Sequence, residues 1–243
     1  MNWSRFTLGI LLLALLGSTP VHADNTPVTL SRTFKKGDVV RINVETTTVG
    51  PNGADAQIKL TSSSTVKDVK DNGDVVIETQ DQPGKLTING NDMDIPGGQL
   101  TTLTFDTTGK LVDFKSDPGG ILAPETSRQL EIMRMPILPD KAVVAGDSWQ
   151  STFDNPAVKG NKFTVRTTFV GMDKVDGANL WKLSQAGAPQ TDANGAKMGF
   201  DATYWLDPAS GQLVKSEIKI TDEPTTRFGT HSLTTKTTLI KPE

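Results

Sequence analysis

Residues 162 to 170 read Lys-Phe-Thr-Val-Arg-Thr-Thr-Phe-Val, which puts Phe163, Val165 and Phe169 on one side of an extended chain and Thr164, Arg166 and Thr168 on the other. A period of two with one apolar side is the pattern of a half-buried strand. Further alternating or apolar runs lie at 39–48, 57–69, 75–80, 85–89, 100–105, 111–115, 180–185, 202–206, 212–220 and 230–240. Threonine joins valine and isoleucine in these runs, and branching at Cβ suits all three to a pleated surface. Turn chemistry separates the runs. Asn72-Gly73 supplies the positive φ angles of a tight hairpin. Asp106-Thr107-Thr108-Gly109 has Asp and Gly at the ends of a type I turn, and Asp207-Pro208-Ala209-Ser210-Gly211 is a longer version with proline setting its second position.

One segment departs from this pattern. Residues 124 to 134 hold good helix formers, begin with Pro124 and Glu125, and are stopped by Pro136. Leu130, Ile132, Met133 and Met135 are too crowded for a narrow stripe, so the C-terminal half of this helix should be buried against a sheet. The expected fold is therefore mainly β: a large curved antiparallel sheet or half-open barrel of two related units, with one helix at about 124–134 on its concave side.

The domain plan starts with residues 1 to 23. Arg5, the apolar run Leu8 to Leu16 and the small-residue exit Val21-His22-Ala23 form a secretory signal, so the working chain is expected from Asp24. Gly17-Ser18-Thr19-Pro20 stops the run at about half of the roughly 20 residues that a membrane span needs. Residues 24 to 243 then form a single β-rich domain. Internal duplication is expected between 37–117 and 146–222, because three signatures recur in order: Gly37-Asp38 with Gly146-Asp147, Asp71-Asn72-Gly73 with Val175-Asp176-Gly177, and Phe105-Asp106-Thr107-Thr108-Gly109 with Trp205-Leu206-Asp207-Pro208-Ala209-Ser210-Gly211.

Composition removes several function classes. The chain carries no cysteine, so it makes no disulfide, thiolate metal site or thiol nucleophile. Its formal net charge is −3, which becomes −4 when the signal takes Arg5 away, and its cations are interspersed with acids. That offers no basic footprint for nucleic acid. After the signal the sole histidine is His231, with no nucleophile motif beside it and no second soft ligand for zinc. Asn89 to Asp94 is the nearest approach to a calcium loop but lacks its ligand pattern. Asp92 with Asp94, Asp173 with Asp176, and Glu217 are the acids open to a two-carboxylate hydrolase, although most sit in turns where Asp has a structural role. Trp149, Trp181 and Trp205 lie in strand-like runs and are read as core.

The stretch Met135-Pro136-Ile137-Leu138-Pro139 through Ala145-Gly146-Asp147-Ser148-Trp149 resembles a pattern of uncharacterised secreted proteins and lipoproteins of bacteria, in which Pro-x-x-Pro precedes Gly-Asp-Ser-Trp amid β-rich sequence. The resemblance carries no activity. Many such proteins have a lipobox cysteine, which is missing here. A long antiparallel sheet with a helix laid on it is also similar to the half-open barrel of periplasmic lipoprotein carriers.

The resulting expectation is a non-catalytic binding protein, exported and soluble in the periplasm or outside the cell. It has no catalytic residues, cofactor or metal. An apolar small molecule or lipid would lie between sheet and helix against Leu130, Met133, Met135, Leu138 and Trp149. The alternatives are a scaffold that binds an envelope protein through a sheet edge, and the carboxylate hydrolase.

Overall fold

The computed structural model describes residues 26–49, 55–98, 100–117, 128, 131–154, 162–191, 197–221 and 232–240. The signal segment, Leu130, His231 and most of the expected helix lie outside them. Thirteen strands follow in order: β1 (Val39–Val49), β2 (Asp55–Val69), β3 (Val75–Asp81), β4 (Gly84–Ile88), β5 (Asn91–Ile95), β6 (Leu100–Phe105), β7 (Leu111–Ser116), β8 (Ser148–Asp154), β9 (Lys162–Val175), β10 (Ala178–Thr191), β11 (Lys197–Leu206), β12 (Leu213–Thr221) and β13 (Ser232–Leu239). They form one antiparallel sheet in the order β7-β6-β3-β2-β1-β13-β12-β11-β10-β9-β8, and the β4–β5 hairpin extends from β2. The fold is thus mainly β, in one large sheet that does not close, with a short helix at 131–134.

The sheet is rolled, not flat. Eleven strands about 4.8 Å apart would place β7 and β8 about 48 Å from each other if laid out. Yet the adjacent residues Ile137 and Leu138 reach both edges: Leu138 N donates to Thr108 O in the β6–β7 turn at 2.9 Å, and Trp149 Nε1 of β8 donates to Ile137 O at 2.8 Å. Curling brings the inward faces together into one core that includes Val66, Phe105, Val143, Val165, Phe169, Leu183, Phe200, Leu206 and Ile220. On β9 the alternation holds: Val165, Thr167 and Phe169 are buried while Arg166 is exposed.

The turns that lead into β1 and β8 bond to the sheet in the same way. Gly37 N donates to Val66 O at 2.8 Å and Val66 N to Asp38 O at 2.9 Å; Gly146 N donates to Phe169 O at 2.7 Å and Phe169 N to Asp147 O at 2.9 Å. Asp38 and Asp147 carboxylates cap the same turn, accepting from Lys35 N and Val144 N. Each half is also a meander of neighbouring strands, β1-β2-β3-β6-β7 and β8-β9-β10-β11-β12. Where β10 and β11 run long, their counterparts are split into β3 with β4 and β5 with β6. Pro83 and Pro96 sit at the two splits.

Two strands were absent from the periodic reading. β5 is Asn-Asp-Met-Asp-Ile and mostly exposed; Met93 and Ile95 share a side, but only Ile95 is buried and the run is short; with β4 it turns through Asn89 (φ 48°) and Gly90 (φ 81°) as a tight hairpin. β8 is largely polar and lies at the sheet edge.

Candidate functional site

Tyr204, on β11, is fully buried and pins the helix to the sheet. Its hydroxyl lies within hydrogen-bonding distance of Met133 O and of Gln185 Oε1, and Gln185 Nε2 donates to Thr167 Oγ1 at 2.9 Å. Three neighbouring strands and the helix thus share one buried polar chain, in which the single phenolic proton of Tyr204 lies between two carbonyl oxygens. Burial pushes the Tyr204 pKa well above the ordinary phenol value. A folded state that keeps its proton while the unfolded chain releases it near pH 10 loses stability as pH rises beyond that point. Tyr204 is the only tyrosine. In an alkaline titration the tyrosinate band is therefore expected in a single step, together with loss of the β circular dichroism. A reversible titration near pH 10 with the fold intact would contradict this.

Beside the helix lies a cavity of about 90 Å³. Val40 and Ile42 of β1, Ile77 of β3, Leu103 and Phe105 of β6, and Leu213 of β12 supply its apolar walls. The helix side contributes Met135, Glu131 and Arg134; Arg134 Nη1 donates to Glu131 Oε1 at 3.1 Å, so these two charges satisfy each other. Ser64 and Thr79 add hydroxyls that bond each other at 2.9 Å.

The remaining wall is Arg32, which no sequence motif had marked. Its segment alternates, with Val28, Leu30, Arg32 and Phe34 turned in and Thr29, Ser31 and Thr33 exposed. A lone arginine at an inward position of such a stretch is the signal that was available. The β6–β7 and β11–β12 turns clamp this segment. Thr33 N donates to Ser210 O at 2.8 Å, and Gly109 and Gly211 come so near that an added Cβ would lie 1.9 Å from Arg32 Nη1 and from Ser31 O respectively. Arg32 Nη1 donates to Thr108 O at 3.2 Å and Nη2 to Pro136 O at 2.6 Å. Its Nε is buried without a partner. Desolvation lowers the pKa to about 10, against weaker opposing effects of Tyr204 and Asp106.

Of the residues expected to line a ligand, Met135 borders the cavity. Met133 (2% exposed) and Leu138 (3%) are in the packed core, and Trp149 packs against that core from β8; none of the three lines the cavity, and Leu130 lies outside the described residues. The core had too few sequence cues to separate packing from lining, because both ask for large apolar side chains.

The acidic residues are accounted for locally. Asp207 accepts from Ala209 N and Ser210 Oγ within its own turn. Asp92 accepts from Thr87 Oγ1, Asp94 faces Lys85 at 3.1 Å, and Glu217 faces Lys236 at 3.8 Å. Asp176 sits in the β9–β10 turn at φ 49°. Asp173 is a strand residue and not part of that turn: it accepts from Trp205 Nε1 at 2.9 Å and pairs with Lys182 at 3.0 Å, contacts that hold its pKa below the usual carboxylate value. Trp205 is buried, but on the outer face of the sheet, under Lys182 and Lys215; Trp181 is in the core. A wider depression of about 430 Å³ lies on that outer face over Ser184, Ala186 and Thr203, flanked by Arg166, Asp201 and Lys219. It is open and its charges are solvated. Among the described residues no three His, Asp or Glu side chains gather as a metal site requires, and no helix is long and apolar enough to cross a membrane.

No protein-family model and no curated protein matches the chain. Among solved structures it is similar to a hypothetical lipoprotein, YmcC, from Escherichia coli (K12), at 13% identity over 84% of each chain with a TM-score of 0.30. It is also similar to a DUF1329 family protein from Desulfovibrio piger ATCC 29098, at 10% identity over 84% of this chain and 85% of that one with a TM-score of 0.25. A LolA superfamily protein from Nitrosomonas europaea is similar at 11% identity over 86% of each chain, with a TM-score of 0.22. At such TM-scores the likenesses carry no argument about function.

Proposed function

We propose that this chain is a non-catalytic binding protein of the cell envelope that holds an apolar, lipid-like ligand between its sheet and its short helix. The observation that carries the reading is the cavity walled by Ile42, Ile77, Leu103 and Phe105 under Met135. An apolar void in a core that otherwise packs tightly forfeits contacts, and a slim apolar chain restores them. At about 90 Å³ the space equals the liquid share of about three waters at about 30 Å³ each, so it admits a few methylenes as it stands. A longer chain requires the helix side to give, and Met135 is unbranched and adaptable. The signal-like start at Arg5 and Leu8 to Leu16 supports the envelope as the compartment. We also infer that 37–117 and 146–222 descend from one duplicated unit; the matching turn bonds and strand neighbours support this.

The test is binding of a neutral fluorescent probe, N-phenyl-1-naphthylamine. Val40→Trp and Met135→Trp, both at half-buried positions on the cavity, should each weaken probe binding about tenfold or more while circular dichroism is unchanged; Asp176→Asn, in a distant turn, should leave it alone. Full probe binding in both tryptophan variants, or none in the unaltered protein, overturns the reading, and a protein-binding scaffold takes its place.

A further inference from the structure

Arg32 brings a charge to the edge of an apolar cavity, and no carboxylate among the described residues is hydrogen-bonded to it. Both of its bonded nitrogens donate to neutral carbonyls, Thr108 O and Pro136 O. Asp106 attracts Arg32 without bonding to it, and Glu131 is paired elsewhere. Asp106 Oδ1 accepts from Thr108 N, Thr108 Oγ1 and Lys110 N, and Glu131, the one acid on the cavity wall, holds Arg134. A guanidinium drawn out of water without a hydrogen-bonded counter-ion is unfavourable, and a buried donor left unmade adds to that. Removing such a charge by substitution would be simple for a protein that needed only packing at this point. Instead the two clamping turns give up side chains at Gly109 and Gly211 to let the segment through.

We propose that the occupant of the cavity is an anionic amphiphile, a straight-chain carboxylate whose head accepts from Arg32 Nε–H and whose first methylenes lie along Ile42, Ile77, Leu103 and Phe105. This rests on the reading of the cavity as an apolar-ligand site and adds the chemistry of the head. Bonding of Nη1 and Nη2 to backbone fixes the plane of the guanidinium and leaves Nε, on one edge of it, as the nitrogen without a partner. An unpartnered Nε–H beside a space this small suits a planar, singly charged head. A phosphate monoester brings more charge and more acceptors than that edge can serve.

The experiment compares decanoate with decan-1-ol, equal in chain length, as competitors of the neutral probe on the unaltered protein. Decanoate is expected to compete at a concentration at least about tenfold lower, the size of effect a charge-assisted hydrogen bond gives. The Arg32 Nε–H resonance should move downfield in a ¹H–¹⁵N spectrum as decanoate is added. In Arg32→Met the two competitors should become equivalent, with decanol unchanged. Equal competition by both in the unaltered protein, or an unmoved Nε–H resonance, overturns the carboxylate assignment and leaves the apolar site standing. If the protein fails to bind the neutral probe at all, the apolar site and its carboxylate both fall. Arg32 also ties residues 108 and 136 together, so should Arg32→Met fail to fold, the comparison on the unaltered protein decides.

Discussion

Gly211→Ala should destabilise the protein by roughly 2–6 kcal/mol, far more than the same change at Gly146. Both glycines have positive φ, 67° and 96°, so alanine is strained at either. At Gly146 nothing lies within 4 Å of an added Cβ, and the conformational penalty of about 1–2 kcal/mol is the whole cost. At Gly211 the methyl would fall 1.9 Å from Ser31 O and 3.0 Å from Arg32 Cα, backbone atoms that cannot rotate away. Relief requires the 31–33 segment to lift, which breaks Thr33 N to Ser210 O and withdraws Arg32 from Thr108 and Pro136. Chemical denaturation of the two variants side by side measures the difference. Equal losses would mean that the clamp on residues 31 to 33 contributes nothing. Gly109→Ala is expected to fall between them, since its clash is with the end of the Arg32 side chain.

The same clamp shows how far the sequence could be read. The turns at Asp106 to Gly109 and Asp207 to Gly211 were legible because their residue types have local work: each Asp bonds backbone or hydroxyl donors within its own turn. Most strands were legible for an equally local reason, alternation against one face. What lay beyond reach was the tertiary use of these elements. Nothing in Asp-Thr-Thr-Gly says that its glycine must admit an arginine 77 positions earlier (109 − 32). Met133, Met135 and Leu138 were all correctly seen as large and apolar near the helix end, but only the rolled geometry of the sheet separates Met135 at the cavity from its neighbours in the core. β5 does alternate, Asp92-Met93-Asp94-Ile95, but over too few residues and with too little buried surface to stand out from a turn.

Tyr204→Ala should be among the costliest single truncations, about 3–5 kcal/mol, because it empties a fully buried ring position and also strands the polar atoms that met its hydroxyl. Tyr204→Phe separates the two effects. The ring remains, while Met133 O and Gln185 Oε1 lose the one proton donor they share inside the core, at a cost of about 1–3 kcal/mol. A phenylalanine that proved neutral would show that another donor replaces the hydroxyl and that the helix is not anchored there. The functional consequence follows from position. Met133 O is two residues before Met135, so releasing it loosens the wall of the cavity that the proposed ligand would have to open. Tyr204→Phe is therefore expected to speed release of the neutral probe in stopped flow by more than its equilibrium affinity changes, since a looser wall accelerates entry as well as exit. Gly146→Ala, which strains a distant turn without touching this chain of bonds, should leave both rates as they are. If the phenylalanine variant exchanges probe no faster than the unaltered protein, the helix is not the moving wall, and the ligand must enter past Val40 and the 32–34 segment on the other side.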